Sequence, residues 1–313
     1  MTQLTQWLNT TPYRDFTLTI ASADASFRKY YRLTKGSQTF IVMDSSLELD
    51  SLPPFLDVTQ RLLDVGVNAP HIYERNLEKG YLIIEDFGSL ALLDTLNRAN
   101  FKRHYTNAIQ TIVTMQEASV ENLPLYDRDF LHFEMHLMQE WYLEKKLNLT
   151  LSKSEQNMLD ASLSAIADGV LSQPQGLFVH RDFHSRNIML TPNDNIGVID
   201  YQDAMSGALT YDLVSLLKDC YVAFDRAAIE SLALTFRDKK GLDVSDAVFL
   251  KWFDFMGLQR HIKVLGVFSR LDIRDGKDGY LKDIPLTLSY TIDAASRYKE
   301  TAPLAAYLTR VTQ

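Results

Sequence analysis

The densest set of reactive side chains lies in Leu177-Phe-Val-His180-Arg181-Asp182-Phe-His184-Ser-Arg186-Asn187-Ile-Met-Leu190. One apolar run delivers a polar turn and a second apolar run leaves it. A carboxylate at 182 and a carboxamide at 187 can then face one pocket. Thirteen residues beyond Asn187, Asp200 ends Ile196-Gly-Val-Ile199 and is followed by Tyr201-Gln202-Asp203. Phosphoryl transfer from ATP needs these residue types: one carboxylate accepts or orients the hydroxyl, while an amide oxygen and a second carboxylate hold Mg²⁺ on the phosphates.

Two kinds of element must position them. Up to residue 85, segments rich in β-branched and aromatic residues predict strands at Phe16–Ile20, Phe27–Leu33, Thr39–Met43, His71–Tyr73 and Tyr81–Ile84, with a helix near Pro54–Val65. Beyond Glu85-Asp86-Phe87-Gly88, helical spacing dominates: Phe101–Met115, Phe130–Leu147 and Glu155–Leu171. Strands return only at 177–179, 188–190 and 196–199. The expected fold is α+β, with a β-rich N-lobe (1–85), a helical C-lobe (86–313) and a ligand cleft between them.

Composition narrows the function. Of 313 residues, 46% are hydrophobic and 23% charged, an ordinary globular balance. Lys and Arg total 32 against 40 Asp and Glu, a net charge of -8, which disfavours a nucleic-acid or membrane-surface partner but not a small nucleotide in a metal-charged site. Cys220 is the only cysteine, so no internal disulfide or multi-cysteine metal site forms. No signal core or membrane-length apolar run is present, and the expectation is a cytoplasmic protein.

His180-Arg-Asp-x-x-x-x-Asn187 has the spacing of a kinase catalytic loop, and Asp200 takes the place of the aspartate opening the metal-binding triplet. With Ile199-Asp-Tyr-Gln-Asp203, the chain resembles the aminoglycoside phosphotransferase and choline kinase-like enzymes. Its wider wording is closest to the bacterial kinases that phosphorylate N-acetylmuramate and N-acetylglucosamine at the anomeric hydroxyl in cell-wall recycling. That likeness runs through Leu123-Pro-Leu-Tyr-Asp127, Trp141-Tyr142, Tyr211-Asp-Leu-Val-Ser-Leu-Leu-Lys-Asp219 and Gln259-Arg-His-Ile-Lys-Val-Leu-Gly-Val-Phe268. The resemblance implies a protein-kinase-like two-lobe fold, ATP and Mg²⁺ as cofactors, a small sugar as substrate, Asp182 as catalytic base or hydroxyl-orienting group, and Asn187 and Asp200 on the metal. An aminoglycoside, choline or amino-alcohol kinase, or a nucleotide-binding pseudokinase, is the alternative. His180 reads as a brace for the turn. Arg186 is open between neutralising phosphate and pairing with Asp182. Asp203 is open between aiding the metal site, touching substrate and capping a helix.

The N-lobe departs from the kinase pattern. No Gly-x-Gly is present, so Ser22-Ala-Asp-Ala-Ser26 is the expected phosphate-covering loop, with Ser26 a ligand. The strand lysine is absent at Ile41–Asp44. Arg28 or Lys29 replaces it, or these are ordinary charges on an edge strand; alternation puts Arg28 and Arg32 on one face. The hinge Ile83-Ile84-Glu85-Asp86-Phe87, with Glu85 and Phe87 as binding residues, is the expected adenine site, where backbone groups at an exposed strand end pair with the base edge; a plain inter-lobe linker is the alternative. In the C-lobe, His132 and His136 have metal-pair spacing but lack a third ligand. Phe130, Phe133, Leu137 and Trp141 read as a core stripe, and the branch resemblance makes Trp141 an alternative sugar platform. Arg260, in a basic cluster with Lys263, either reads an acidic sugar or pairs with Asp272, Asp275 and Asp278. Cys220 reads as a buried apolar residue.

Overall fold

The structure, a computed structural model, describes residues 2–22, 28–192 and 195–312. In chain order its elements are α1 (Gln3–Leu8), β1 (Thr17–Ser22), β2 (Lys29–Lys35), β3 (Gln38–Asp44), α2 (Leu52–Asp64), β4 (Ile72–Asn76), β5 (Tyr81–Glu85) and α3 (Leu92–Thr95). There follow α4 (Phe101–Met115), α5 (Arg128–Leu137) with a π-helical continuation (Met138–Lys146), α6 (Lys153–Leu171), β6 (Leu177–Val179), β7 (Ile188–Thr191), β8 (Asn195–Val198) and β9 (Met205–Gly207). The chain closes with α7 (Tyr211–Leu217), α8 (Arg226–Lys239), α9 (Asp246–Asp275), α10 (Ile284–Ser296) and α11 (Ala302–Val311). Two compact units result: residues 1–92 with 187–203, and residues 93–186 with 204–313.

The first unit is built on an antiparallel sheet ordered β1-β2-β3-β5-β4. Alternation turns Leu33, Val42, Tyr81 and Ile83 toward one buried cluster, closed by Leu4, Trp7 and Leu8 of α1. Because α1 has only six residues, no helical periodicity announces it. β2 is an interior strand, not the edge strand that its charges suggested. It starts at Lys29, so Arg28 stands before the strand and outside its alternation. Among the interior residues, Arg32 grips Asp86 through Nε at 2.6 Å and Nη2 at 3.0 Å, and reaches the Gly88 carbonyl at 2.9 Å. That planar two-point contact fixes the chain as it leaves β5.

The β7–β8 hairpin belongs to this unit: the Val198 N–H bonds the Asn68 carbonyl at 2.9 Å. Beyond the hairpin, Tyr201 stacks on Phe55 of α2 at 5.3 Å, and its hydroxyl meets Thr59 at 2.8 Å. Gly197 has no side chain because the Phe87 ring lies where one would be; an added Cβ would come within 2.5 Å of it.

In the second unit the helices gather round α9, a 30-residue helix capped by Ser245 and ended by left-handed Gly276. Gly266 lets the Leu137 backbone approach so closely that a Cβ would fall within 2.3 Å of it. The π-helical stretch and the preceding helix bury Leu131, Glu134, Met135, Met138 and Tyr142. Phe133, expected in the core, is 62% exposed, and Glu134 beside it is 3% exposed. The buried face is the apolar one of Leu131, Met135, Met138 and Tyr142, with Glu134 carried into it and met by polar partners.

Candidate active site

The loop between β6 and β7 is held from below by two carboxylates of the α7 region. Asp212 accepts the backbone N–H groups of His180 at 2.8 Å and Arg181 at 3.0 Å. Asp219 accepts the Ser185 N–H at 2.9 Å and the Ser185 hydroxyl. Arg181 takes the left-handed region (φ 77°), which turns the chain sharply at the residue before Asp182. His180, fully buried, accepts the Asp182 N–H on Nδ1 at 3.2 Å, the bracing role expected of it.

Asp182 sits among basic side chains of its own unit. Burial would raise its pKa, but Lys263, His184, Arg260 and Arg181 prevail and hold it down at about 2. Asp212 lacks such company: burial pushes it up to about 6 against the pull of His180 and the two N–H bonds. Lys263 and Arg181 both bond Glu134, at 3.0 and 2.5 Å. Glu134 also accepts Gln259 Nε2 at 3.0 Å and the Tyr126 hydroxyl. No local pattern announces this node, since its members come from four separate segments.

Other assignments are placed as follows. Arg260 is buried and donates to Cys220 Sγ at 3.4 Å, so its pairing is with the loop after α7 and not with Asp272, Asp275 or Asp278. Cys220 is therefore an acceptor as well as an apolar filler. Arg186 stacks on Tyr221 at 3.5 Å and points to Asp283 at 3.9 Å. Trp141 has Lys145 3.5 Å above its ring. His136 Nδ1 bonds the His132 carbonyl at 2.7 Å, and among the described residues no group of three or more His, Cys, Asp or Glu can hold a metal.

In the first unit, Asn187 and Asp200 flank the β7–β8 hairpin, whose register sets Ile188 opposite Val198. Asn187 Nδ2 lies 3.1 Å from Asp200 Oδ2, and Gln202 Nε2 lies 3.1 Å from Oδ1. Asp200 itself is left-handed (φ 66°). A carboxamide and a carboxylate are hard oxygen donors, and a pair of them leaves room for phosphate oxygens and water, the coordination Mg²⁺ prefers. Asp203 is exposed and precedes β9, so no helix begins there for it to cap. Arg28 is nearly buried with Nε 3.6 Å from Glu48, whereas Lys29 is exposed opposite Asp44. At the end of β5, Glu85 pairs with His71 and half-buried Phe87 packs on Gly197. Ser26 lies outside the described residues.

Residues 17–243 match the phosphotransferase enzyme family. The chain is 39% identical to the N-acetylmuramate/N-acetylglucosamine kinase of Neisseria meningitidis, over 98% of this chain and 94% of that protein. It is 36% identical to the protein of the same name from Pseudomonas aeruginosa, over 94% and 88%. Among solved structures, a choline/ethanolamine kinase family protein from Mesorhizobium loti matches with a TM-score of 0.67 at 11% identity, covering 98% of each chain. An ADP-bound aminoglycoside phosphotransferase matches at 0.62 with 15% identity, covering 94% of this chain and 99% of that one. The fold is thus the protein-kinase-like two-lobe α+β fold, with an antiparallel sheet in one lobe and a helix-rich second lobe. The Asp182 loop and the Asn187–Asp200 pair lie within the matched span, and the chain belongs to the phosphotransferase enzyme family.

Proposed function

We propose that this protein is an ATP-dependent sugar kinase, transferring the γ-phosphoryl group to the anomeric hydroxyl of N-acetylmuramate, N-acetylglucosamine or both, in cytoplasmic recycling of peptidoglycan. The observation that carries the reading is the pairing of near-full-length relatedness to two kinases of that name with an Asp182 kept ionised by surrounding cations.

A carboxylate of such low basicity is a poor base for an ordinary alcohol. An anomeric hydroxyl is more acidic, and orienting it while accepting its proton late is within reach of Asp182. The cations Arg181, Arg260 and Lys263 disfavour a cationic acceptor such as choline and suit the lactyl carboxylate of N-acetylmuramate, toward which Arg260 supplies positive potential. Asn187 and Asp200 would hold Mg²⁺, which when bound neutralises charge on the phosphates. Asp203 steadies that end of the site through Gln202, whose Nε2 lies between the two aspartates. At the nucleotide end, Glu85 and Phe87 border the adenine, and exposed Lys29, with Arg28 behind it, meets the phosphates in place of the missing strand lysine. Ser26 belongs to the covering loop, and Trp141 offers its ring edge to the sugar.

The test is transfer from ATP with Mg²⁺ to N-acetylmuramate, N-acetylglucosamine, kanamycin and choline. Turnover of the two amino sugars, lost in Asp182→Asn, is expected. Turnover confined to kanamycin or choline would replace this reading with another acceptor on the same fold.

A further inference from the structure

Glu134 is a glutamate from a helix that carries none of the motif residues, yet it is 3% exposed and receives four donors. One oxygen takes Arg181 Nη2 at 2.5 Å and Lys263 Nζ at 3.0 Å; the other takes Gln259 Nε2 at 3.0 Å and the Tyr126 hydroxyl. The network closes on itself, because Gln259 Nε2 also reaches the Tyr126 hydroxyl at 2.7 Å. Arg181 and Lys263 are also two of the four basic side chains that hold Asp182 ionised. Two half-buried cations thus each act on two carboxylates, bonding Glu134 and attracting Asp182 at the reacting centre.

We propose that Glu134 is a positioning residue for phosphoryl transfer: it is the fixed counter-ion that keeps Lys263 protonated and Arg181 in place beside Asp182. The inference rests on the reading of Asp182 as the hydroxyl-orienting group. The groups facing Lys263 make the direction of its effect definite. Burial opposes its charge and Arg181, from the catalytic loop, repels it. Glu134 of α5, Tyr211 of α7 and Asp182 favour it, and together hold it above the ordinary lysine range. Tyr211 also bonds it directly, with its hydroxyl 3.3 Å from Nζ. Arg260, one helical turn back on α9, adds a further positive charge on the Asp182 side. Removing Glu134 takes away the strongest attraction on the ammonium while burial and the non-titrating Arg181 remain. Lys263 then releases its proton at lower pH, and Asp182 loses a cation.

The experiment is kcat and KM from pH 6 to 11.5 for the native protein, Glu134→Gln, Glu134→Asp and Lys263→Met, with thermal melting as a control for folding. In Glu134→Gln the alkaline fall of kcat should move down by about one pH unit or more, the size of the effect of an opposite charge in contact, with KM for ATP unchanged. Glu134→Asp, which keeps the charge but withdraws it by a methylene, should fall between native and Gln. Lys263→Met should lose kcat at every pH, down to the level Glu134→Gln reaches at high pH. An alkaline limb that stays in place in both Glu134 variants, whatever their absolute rate, overturns the proposal and leaves Glu134 a purely structural anchor. The same titration is followed without substrate by the ¹⁵N resonance of the Lys263 ammonium group. A native protein inactive on amino sugars would therefore sink the substrate reading without deciding the role of Glu134.

Discussion

Asn187 Nδ2 and Asp200 Oδ2 stand 3.1 Å apart, although thirteen residues separate them in the chain. The β7–β8 hairpin makes this inevitable, because pairing Ile188 with Val198 returns the strand ends to each other. The Ile199 N–H then bonds the Asn187 carbonyl at 3.2 Å, so backbone hydrogen bonds bring together the two side chains proposed to hold Mg²⁺. Such preorganisation lowers the cost of binding a cation.

Losing either donor should therefore show in the metal dependence. Asp200→Ala is expected to cost about 10³-fold in kcat, and Asn187→Ala less, in keeping with the large share of phosphoryl-transfer catalysis that electrostatic positioning supplies. Initial rates across a Mg²⁺ titration should show a higher half-saturating concentration for Asn187→Ala, with melting temperature unchanged.

Asp182 and Asp212 leave opposite marks on pH dependence. The folded pKa of Asp182, at about 2, lies below its ordinary 3.8. Its contribution to stability is complete above pH 4 and fades as pH falls toward 2. Asp212, raised from 3.8 to about 6, binds a proton more readily folded than unfolded, so its contribution is full below pH 4 and fades as pH rises through 6. Melting temperature measured from pH 3 to 7 should show the second slope reduced in Asp212→Asn. That variant should also be less stable by about 1–3 kcal/mol at pH 5, since one of the His180 and Arg181 N–H groups loses its acceptor.

Arg32 and Asp86 test the first unit. The Asp86 side chain is 2% exposed, so Arg32→Ala strands a buried carboxylate and should cost about 3 kcal/mol in urea denaturation. Asp86→Asn, which keeps a neutral hydrogen-bonding group there, should cost less.

Gly197 and Phe87 test the proposed adenine site. Gly197→Ala forces the Phe87 ring aside, because the new Cβ would lie 2.5 Å from it. The expected result is a raised KM for ATP, with the acceptor KM unchanged. Adding Phe87→Leu should recover part of the loss; equal KM values in all three proteins would remove Phe87 from the adenine site.

Much of this was legible in the residues. Helix α4 spans Phe101–Met115 as its periodicity predicts, and His180, Asp182, Asn187 and Asp200 fall on the loop and hairpin their spacing implied. Local pattern was enough there because strand alternation and turn chemistry act over a few residues. It was not enough for Glu134. Apolar spacing chose Phe130, Phe133, Leu137 and Trp141 as the inner face, and no local rule foresees a buried glutamate met by donors from positions 126, 181, 259 and 263. Helix α1 and strand β9, of six and three residues, are too short to show a period. The true partner of Arg260, Cys220, is forty residues away in the chain, whereas Asp272 and Asp275 lie further along the same helix and Asp278 past its end.

One measurement bears most directly on the proposed chemistry: the ³¹P spectrum of the product formed from ATP and N-acetylglucosamine, run beside the methyl glycoside of the same sugar. A phosphate coupled to the anomeric proton, and no product from the methyl glycoside, is the predicted result. Phosphorylation of the methyl glycoside, or a phosphate at any other hydroxyl, would contradict transfer to the anomeric oxygen.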